Sequence, residues 1–171
     1  MNLLWNFQWP NDTSCFKMRR AVEISPKGSW RVELATATVT LQFNDRHRRR
    51  IRLTDDAGKD FLLDLAEPKR FSEGDALILE TGELVAVNAA PEEVIDIICK
   101  TPEKKTQIAW HLGNRHTAVE VLPEGNLRIL QDHVLEKMVI NLGATIRHVT
   151  APFEPEGGAY EHLHSHYFNS E

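Results

Sequence analysis

The sequence predicts an α+β protein in which a small all-β unit is followed by a unit of alternating strands and helices. Two observations support this fold class. Residues 35–88 alternate apolar and polar side chains between closely spaced turn signals, a pattern typical of half-buried strands. After Pro91 the periodicity changes, and two helix starts lie among short apolar strands. With 171 residues, the chain has room for one domain or two small ones.

Residues 1–34 are predicted to form an irregular N-terminal extension. Trp5, Trp9 and Trp30 are scattered there among Pro, Asn and Gly residues without a sustained period. The β unit of residues 35–88 comes next. Its predicted elements are a strand at 35–43, a hairpin whose turn is at 55–58, and strands at 76–80 and 83–89.

The second unit, residues 89–152, mixes strands and helices. Thr101 before Pro102 predicts a helix start, because Thr caps a first turn and Pro fits the first helical position. The predicted elements are a strand at 94–99, a helix that ends at Gly113, strands at 119–122 and 127–130, a helix that Asp132 caps, and a strand at 144–151. This β-α-β-β-α-β order predicts a ferredoxin-like domain. Residues 153–171, rich in Pro, Gly and polar residues, are predicted to be a mobile tail.

Composition narrows the class of protein. Lys and Arg total 20 against 25 for Asp and Glu, so the formal net charge of −5 disfavours a general nucleic-acid binder. No apolar run approaches the roughly 20 residues of a membrane helix, and the first residues lack the regions of a secretory signal. Cys15 and Cys99 form neither a disulfide framework nor a CxxC pair. We therefore expect a cytoplasmic protein that binds neither membranes nor nucleic acid.

Histidine is the residue type that points to chemistry, and the chain has eight. His111 lies in the last turn of the first predicted helix, and His116 lies in the loop after it. Imidazole is a ligand that suits Ni²⁺, Cu²⁺ and Zn²⁺. From the spacing alone a structural role is favoured, with His111 interacting with the helix dipole and His116 packing or hydrogen-bonding in its loop.

Three further histidines, His162, His164 and His166, alternate along the tail. Alternate side chains of an extended peptide point to one side, so two or three of these nitrogens can close on one cation. The alternative is a solvated tail enriched in histidine by chance. His133, directly after Asp132, is either a peripheral ligand or a surface residue, and the surface is favoured.

The segment Arg46-His47-Arg48-Arg49-Arg50-Ile51-Arg52 is strongly basic. It predicts either a patch for phosphates or an acidic partner, or a solvated edge strand that its charges protect from aggregation. The sequence contains no P-loop, HExxH motif, dinucleotide fingerprint or nucleophile triad spacing. We therefore expect that the protein is not an enzyme.

Five segments, in the same order along the chain, resemble the UreE family of urease accessory proteins. HLGNRH at 111–116, DHVLEKMVINLGA at 132–144 and APFEPEGGAY at 151–160 are similar to its C-terminal part. RHRRRIRLTDDAGKDFLLDL at 46–65 and LILETGELVAVNAAPEEV at 77–94 are similar to its N-terminal domain. The resemblance covers about residues 35–166.

The resemblance implies a cytoplasmic metallochaperone that supplies Ni²⁺ for urease maturation, with Zn²⁺ or Cu²⁺ as ions that bind in vitro. It implies a β domain of the peptide-binding type and a metal-binding domain that forms a homodimer. In that dimer His116 meets its symmetry mate, and His162, His164 and His166 complete the coordination. The implied partners are the GTPase UreG and the apo-urease assembly complex.

Two positions depart from the family pattern. The His-x-His pair that some members carry before the second helix reads Gln131-Asp132-His133 here, so only His133 is left for a peripheral site. The tail is also short, which favours nickel transfer over storage. Two alternatives stay open: an adaptor that grips a peptide or polyanion through Arg46 to Arg52, and a metal-dependent hydrolase, for which the sequence offers no general base.

Overall fold

Two β-sheets, each with its own hydrophobic cluster, make up residues 18–157, the part of the chain that the computed structural model describes. The first sheet has six strands. The second has four strands, and two helices pack against it. An all-β unit therefore precedes a unit of strands and helices, as the sequence predicts. Within residues 18–157, no helix is long and apolar enough to cross a membrane.

The first sheet contains β1 Arg19–Ser25, β2 Ala35–Leu41, β3 His47–Thr54, β4 Asp60–Arg70, β5 Ala76–Leu79 and β6 Leu84–Ala89. Short 3-10 turns at Val32–Leu34 and Phe43–Asp45 flank β2. The strand order is β2-β6-β5-β1-β4-β3. The β1–β4 and β2–β6 pairs are parallel, and the other pairs are antiparallel. The sheet is therefore mixed.

The predicted hairpin around residues 55–58 is confirmed as β3 and β4. Gly58 takes a φ of +82° in its turn, a backbone conformation that glycine adopts without a Cβ clash. The tip then reaches the far edge of the sheet, where the Asp56 backbone N–H donates to the Thr38 carbonyl at 2.8 Å. The Asp56 carboxylate also accepts from the Thr40 N–H at 3.0 Å. These bonds bring the two ends of the strand order together around the first hydrophobic cluster.

The prediction that residues 1–34 are an irregular extension is wrong for Arg19–Ser25. This segment is β1, in the middle of the first sheet, where Ala21 is fully buried. A register shift between Ala21 and Glu23 interrupts the side-chain alternation on which the sequence prediction depends. Trp30 is half-buried and donates its indole N–H to the Gly74 carbonyl, whereas Trp5 and Trp9 lie outside the described residues.

The second sheet contains β7 Pro91–Ile98, β8 Glu120–Val121, β9 Leu127–Leu130 and β10 Thr145–Pro152, with α1 Pro102–Gly113 and α2 His133–Asn141. The strand order is β10-β7-β9-β8, and all neighbours are antiparallel. Both helices pack on one face, in a cluster that includes Ile97, Ile108 and Val139. The predicted helix starts are confirmed, since Thr101 accepts from the Lys104 N–H and Asp132 accepts from two N–H groups of its first turn.

A buried carboxylate lies on the other face of this sheet. Asp96 follows Ile95 and precedes Ile97 on β7, and those two residues face the helices, so Asp96 points away from them. Its side chain is 1 % exposed and accepts from Arg128 Nε at 2.7 Å and Arg147 Nη2 at 2.8 Å. The second sheet is therefore held on one face by apolar packing and on the other by an ion-pair cluster.

The prediction of a mobile tail is wrong for its first residues, 153–156. Residues 152–156, which we call the strap, are held by side chains of both sheets, and Phe153 and Pro155 are buried. Mobility was predicted because residues 153–171 as a whole are rich in Pro, Gly and polar residues, but the partners of the strap lie far away in sequence. Residues 158–171 lie outside the described part of the chain.

Candidate metal centre

The loop after α1 holds His116 in a strained but tightly bonded conformation. The His116 N–H donates to the Gly113 carbonyl at 2.9 Å, and the Thr117 N–H donates to the Leu112 carbonyl at 3.2 Å. This pair of bonds is the Schellman motif that ends many helices, with His116 at the position usually taken by glycine. His116 has a φ of +53° and is the one non-glycine residue with a positive φ among residues 18–157.

That conformation has a cost which identifies His116 as unusual. An L-residue in the left-handed region is destabilised by about 1–2 kcal/mol relative to the right-handed one, a cost that glycine avoids. Histidine tolerates the region better than most residues, but it offers the backbone no advantage over glycine. The imidazole is exposed, so it contributes no core packing either. Strain of this kind, at a residue with metal-binding chemistry, favours a functional role for the side chain.

His111 lies in the last turn of α1, as predicted, and is half-buried. Its ring packs edge-on against Trp110, with the ring centroids 4.9 Å apart, and the Arg115 guanidinium donates to its carbonyl at 2.9 Å. Trp110 is 62 % exposed, which is unusual for the largest apolar side chain. The end of α1 thus presents an aromatic surface six residues before His116.

The other histidines of the second unit lie apart. His133 is exposed in the first turn of α2. His148 on β10 lies 3.7 Å from the Glu136 carboxylate on α2, a pair that sequence reasoning missed because its members belong to different elements. Across residues 18–157, no three His, Cys, Asp or Glu side chains come close enough together to hold a metal ion.

The strap brings the start of the histidine tail close to the His116 loop. The Glu156 N–H donates to the Val119 carbonyl at 2.8 Å, and Val119 is three residues after His116. His162 is six residues beyond Glu156 and His166 is ten. An extended chain spans at most about 3.3–3.6 Å per residue, so His162 reaches about 20 Å from Glu156 and His166 about 35 Å. His162, His164 and His166 themselves lie outside the described residues.

Carboxylates offset much of the positive charge of the basic strand β3. β3 lies at one end of the strand order and is an edge strand. Arg50 lies 3.7 Å from Asp64, and Arg52 pairs with Asp60, whose pKa lies below its ordinary value because Arg52 and Thr54 donate to it. Arg48, Arg50 and Arg52 therefore form ion pairs along the sheet, and Arg49 donates to the Leu65 carbonyl, so the segment is not one free basic patch.

Arg46 differs from the other arginines of this segment because it is fully buried. It pairs with Glu154 of the strap, 108 positions away. Sequence reasoning counted Arg46 as part of the basic patch and missed this contact, since no local signal links the two residues.

Both units match models of known families. Residues 23–90 match the model described as the N-terminal domain of the UreE urease accessory protein, and residues 92–170 match its C-terminal domain. Similar proteins bear the name urease accessory protein UreE. One from Beijerinckia indica is 48 % identical over 143 residues, which cover 84 % of this chain and 82 % of that protein. One from Chelativorans sp. is 40 % identical over 149 residues, which cover 87 % and 90 %.

Proposed function

The chain belongs to the UreE family of urease accessory proteins, and from this premise we propose that it is a nickel chaperone which holds Ni²⁺ at His116 across a homodimer and delivers it for urease maturation. The observation that carries the proposal is the exposed imidazole of His116, placed in a left-handed helix-ending position where glycine would fit better. A side chain kept there at a conformational cost is a reasonable metal ligand.

A two-fold dimer would bring two His116 imidazoles together. In a two-fold dimer a residue near the axis meets its own copy, so two chains place two His116 nitrogens around one ion. The exposed Trp110 beside His111 supports an interface at this end of the second unit, because association would remove its large apolar surface from water. Two nitrogens leave coordination positions open on Ni²⁺, which suits transfer better than a closed structural site.

The tail histidines would fill those open positions. The Glu156 N–H bonds to Val119, which is three residues after His116, so the tail starts close to the His116 loop. From that point an extended chain is long enough for His162, His164 and His166 to reach His116. His111 is an additional candidate ligand in the same segment. His133, exposed on α2, stays a candidate for a separate peripheral site.

The proposal also assigns roles to the two units. Residues 35–88, together with β1, form a peptide-binding-like domain, and residues 89–152 form a ferredoxin-like metal-binding domain, for which the strand order β10-β7-β9-β8 is the support. The proposed partners are the GTPase UreG and the apo-urease assembly complex, in the cytoplasm. The protein acts as a carrier and not as an enzyme, and Zn²⁺ or Cu²⁺ compete for the imidazoles in vitro.

The first test measures how many Ni²⁺ ions bind per chain in the tightest binding step. We expect the full chain to sediment as a dimer and to bind Ni²⁺ in calorimetry with one tight ion per two chains, because the two His116 side chains share the ion. Transfer to apo-urease, read as urease activity, should follow from the loaded dimer. A monomer that binds one tight ion per chain would contradict the shared site.

The second test removes the tail. Truncation after Tyr160 deletes His162, His164 and His166 and should weaken the tight nickel event by roughly tenfold, about 1.4 kcal/mol, while the dimer stays intact. A matched control replaces the three histidines by Asn in a chain of full length, which separates the loss of ligands from the loss of residues. Nickel affinity equal to that of the full chain in both variants would exclude a role for the tail.

A further inference from the structure

The strap crosses the second sheet from one edge to the other. It starts at the end of β10, which is one edge of the order β10-β7-β9-β8, and its last residue bonds to Val119, just before β8 at the other edge. Three inter-strand spacings of about 4.8 Å separate these edges, a distance of about 14 Å. The strap therefore moves the start of the histidine tail across the sheet to the side where the His116 loop lies.

The first sheet holds the strap through two arginines. Arg46 donates to the Phe153 carbonyl at 2.5 Å and to the Glu154 carboxylate, and Arg70 donates to the Pro155 carbonyl. The Glu73 N–H adds a bond to the same carboxylate oxygen at 3.2 Å.

Aromatic contacts add to these bonds. The Phe153 ring packs edge-on against Phe43, with centroids 5.2 Å apart, and the Arg70 guanidinium lies 5.4 Å from the centre of the Phe43 ring. The strap is thus bound to the first sheet by charge, by its backbone and by a buried ring.

The second sheet holds the other side of the strap. The Glu154 N–H donates to the Glu120 carboxylate at 3.1 Å, and the Glu156 N–H donates to Val119. Glu120 in turn lies 4.0 Å from Arg128, which binds Asp96. Charged contacts therefore run from Arg46 through the strap to the ion-pair cluster of the second sheet.

Arg46 makes release of the strap unfavourable. A buried guanidinium is costly unless its donors are satisfied. The strap accepts from both Nη atoms of Arg46, whereas the buried Nε has no hydrogen-bond partner among the described residues. If the strap left, Arg46 would exchange both of these partners for water, and the buried Phe153 ring would lose its packing against Phe43. The docked arrangement is therefore the favoured one.

We propose that Arg46 is a positioning residue for nickel binding: by fixing the strap, it sets the point from which the tail histidines reach the His116 site. The inference rests on the proposed function and adds to it, because it gives the first sheet a direct part in building the metal site of its own chain. Linkage requires the converse, so that an ion bridging His116 and the tail stabilises the docked strap.

The expected loss of nickel affinity follows from the length of free chain that precedes the tail histidines. Releasing the strap lengthens the free chain before His162 from six residues, counted from Glu156, to ten, counted from Pro152. Length alone then lowers the effective concentration of the tail by about twofold, and the displaced starting point lowers it further, so we expect a loss of about three- to tenfold in affinity.

The test is a double-mutant cycle on nickel affinity. Ni²⁺ titrations compare the full chain and the chain truncated after Tyr160, each with and without Arg46→Met. We expect Arg46→Met to weaken binding in the full chain and to have no effect in the truncated chain, since its action passes through the tail. Glu154→Gln, at a partly exposed side chain, should give the same pattern and serves if Arg46→Met does not fold. Arg52→Met, on β3, which begins directly after Arg46, but away from the strap, is the matched control.

A second readout needs no metal. Hydrogen exchange of the metal-free full chain should show that the Glu154 and Glu156 amides lose protection in Arg46→Met and Glu154→Gln and keep it in Arg52→Met. Unchanged protection would overturn the positioning role. If Arg46→Met weakens nickel binding equally in the full and the truncated chain, Arg46 has only a structural role and the positioning role is overturned. The proposed function is not affected by that result. No effect of truncation alone would remove the tail from the proposed function and this inference with it.

Discussion

Replacing His116 by Asn is expected to weaken the tightest Ni²⁺ event about a hundredfold or more, equivalent to about 2.8 kcal/mol, while the fold and the dimer persist. One substitution removes two imidazoles, because each chain contributes its copy to the shared ion. Asn tolerates the left-handed region, so the helix-ending bonds of His116 and Thr117 are preserved. Calorimetric titration and urease activation measure the loss.

Two controls separate the ligand from the backbone. His47→Asn removes an exposed histidine from the first sheet and should leave nickel affinity unchanged. His116→Gly fits a φ of +53° without a Cβ and should unfold at the same or higher denaturant concentration, with a gain of up to about 1 kcal/mol, although it binds nickel as poorly as the Asn variant. Tight nickel binding by either His116 variant would show that the assignment is wrong.

Replacing Asp96 by Ala is expected to lower the free energy of unfolding by about 3 kcal/mol at neutral pH. The carboxylate is buried between Arg128, which is itself 14 % exposed, and Arg147. Its removal leaves the Arg128 charge in a largely buried site without its main partner, and such orphaned charges are strongly destabilising. Denaturant unfolding measures the loss, and Glu67→Ala, at an exposed position of the first sheet, is the control.

Acid should produce part of the same loss in the unmodified protein. Burial alone would raise the Asp96 pKa, but the hydrogen bonds from Arg128 and Arg147 outweigh it and hold the pKa below its ordinary value. A carboxyl group with a lowered folded pKa contributes stability that is complete above its unfolded pKa of about 3.9 and is lost as pH falls through the folded value. Asp96→Asn should therefore show a shallower fall of stability below about pH 4 than the unmodified chain. Equal slopes would contradict this account.

Local signals predicted the elements that depend on local chemistry. Thr101 and Asp132 were identifiable as helix caps because a cap bonds to N–H groups two or three residues away. The β3–β4 hairpin was identifiable because Gly58 and its neighbours specify a tight turn. His116 was placed correctly in a loop after α1, but its left-handed backbone was not foreseen, since the helix end was assigned to Gly113.

Features that depend on distant partners could not be predicted in this way. β1 was missed because a register shift interrupts its alternation and because its neighbours, β4 and β5, lie at least 35 residues further along the chain. The burial of Phe153 and Pro155 depends on Arg46 and Arg70, whose charges suggested solvent exposure. The Asp96 cluster likewise joins residues 32 and 51 positions apart. In each case the sequence contains the groups but no indication of their pairing.

The separation of Arg46 from Glu154 has a consequence for biosynthesis. Glu154 is the 108th residue that the ribosome adds after Arg46, and reaching it takes about 5–20 s at common elongation rates. During that interval the first sheet emerges with this guanidinium still hydrated, and its burial waits until translation is almost complete. A nascent chain that stalls before codon 154 therefore lacks the carboxylate that pairs with Arg46 in the complete protein.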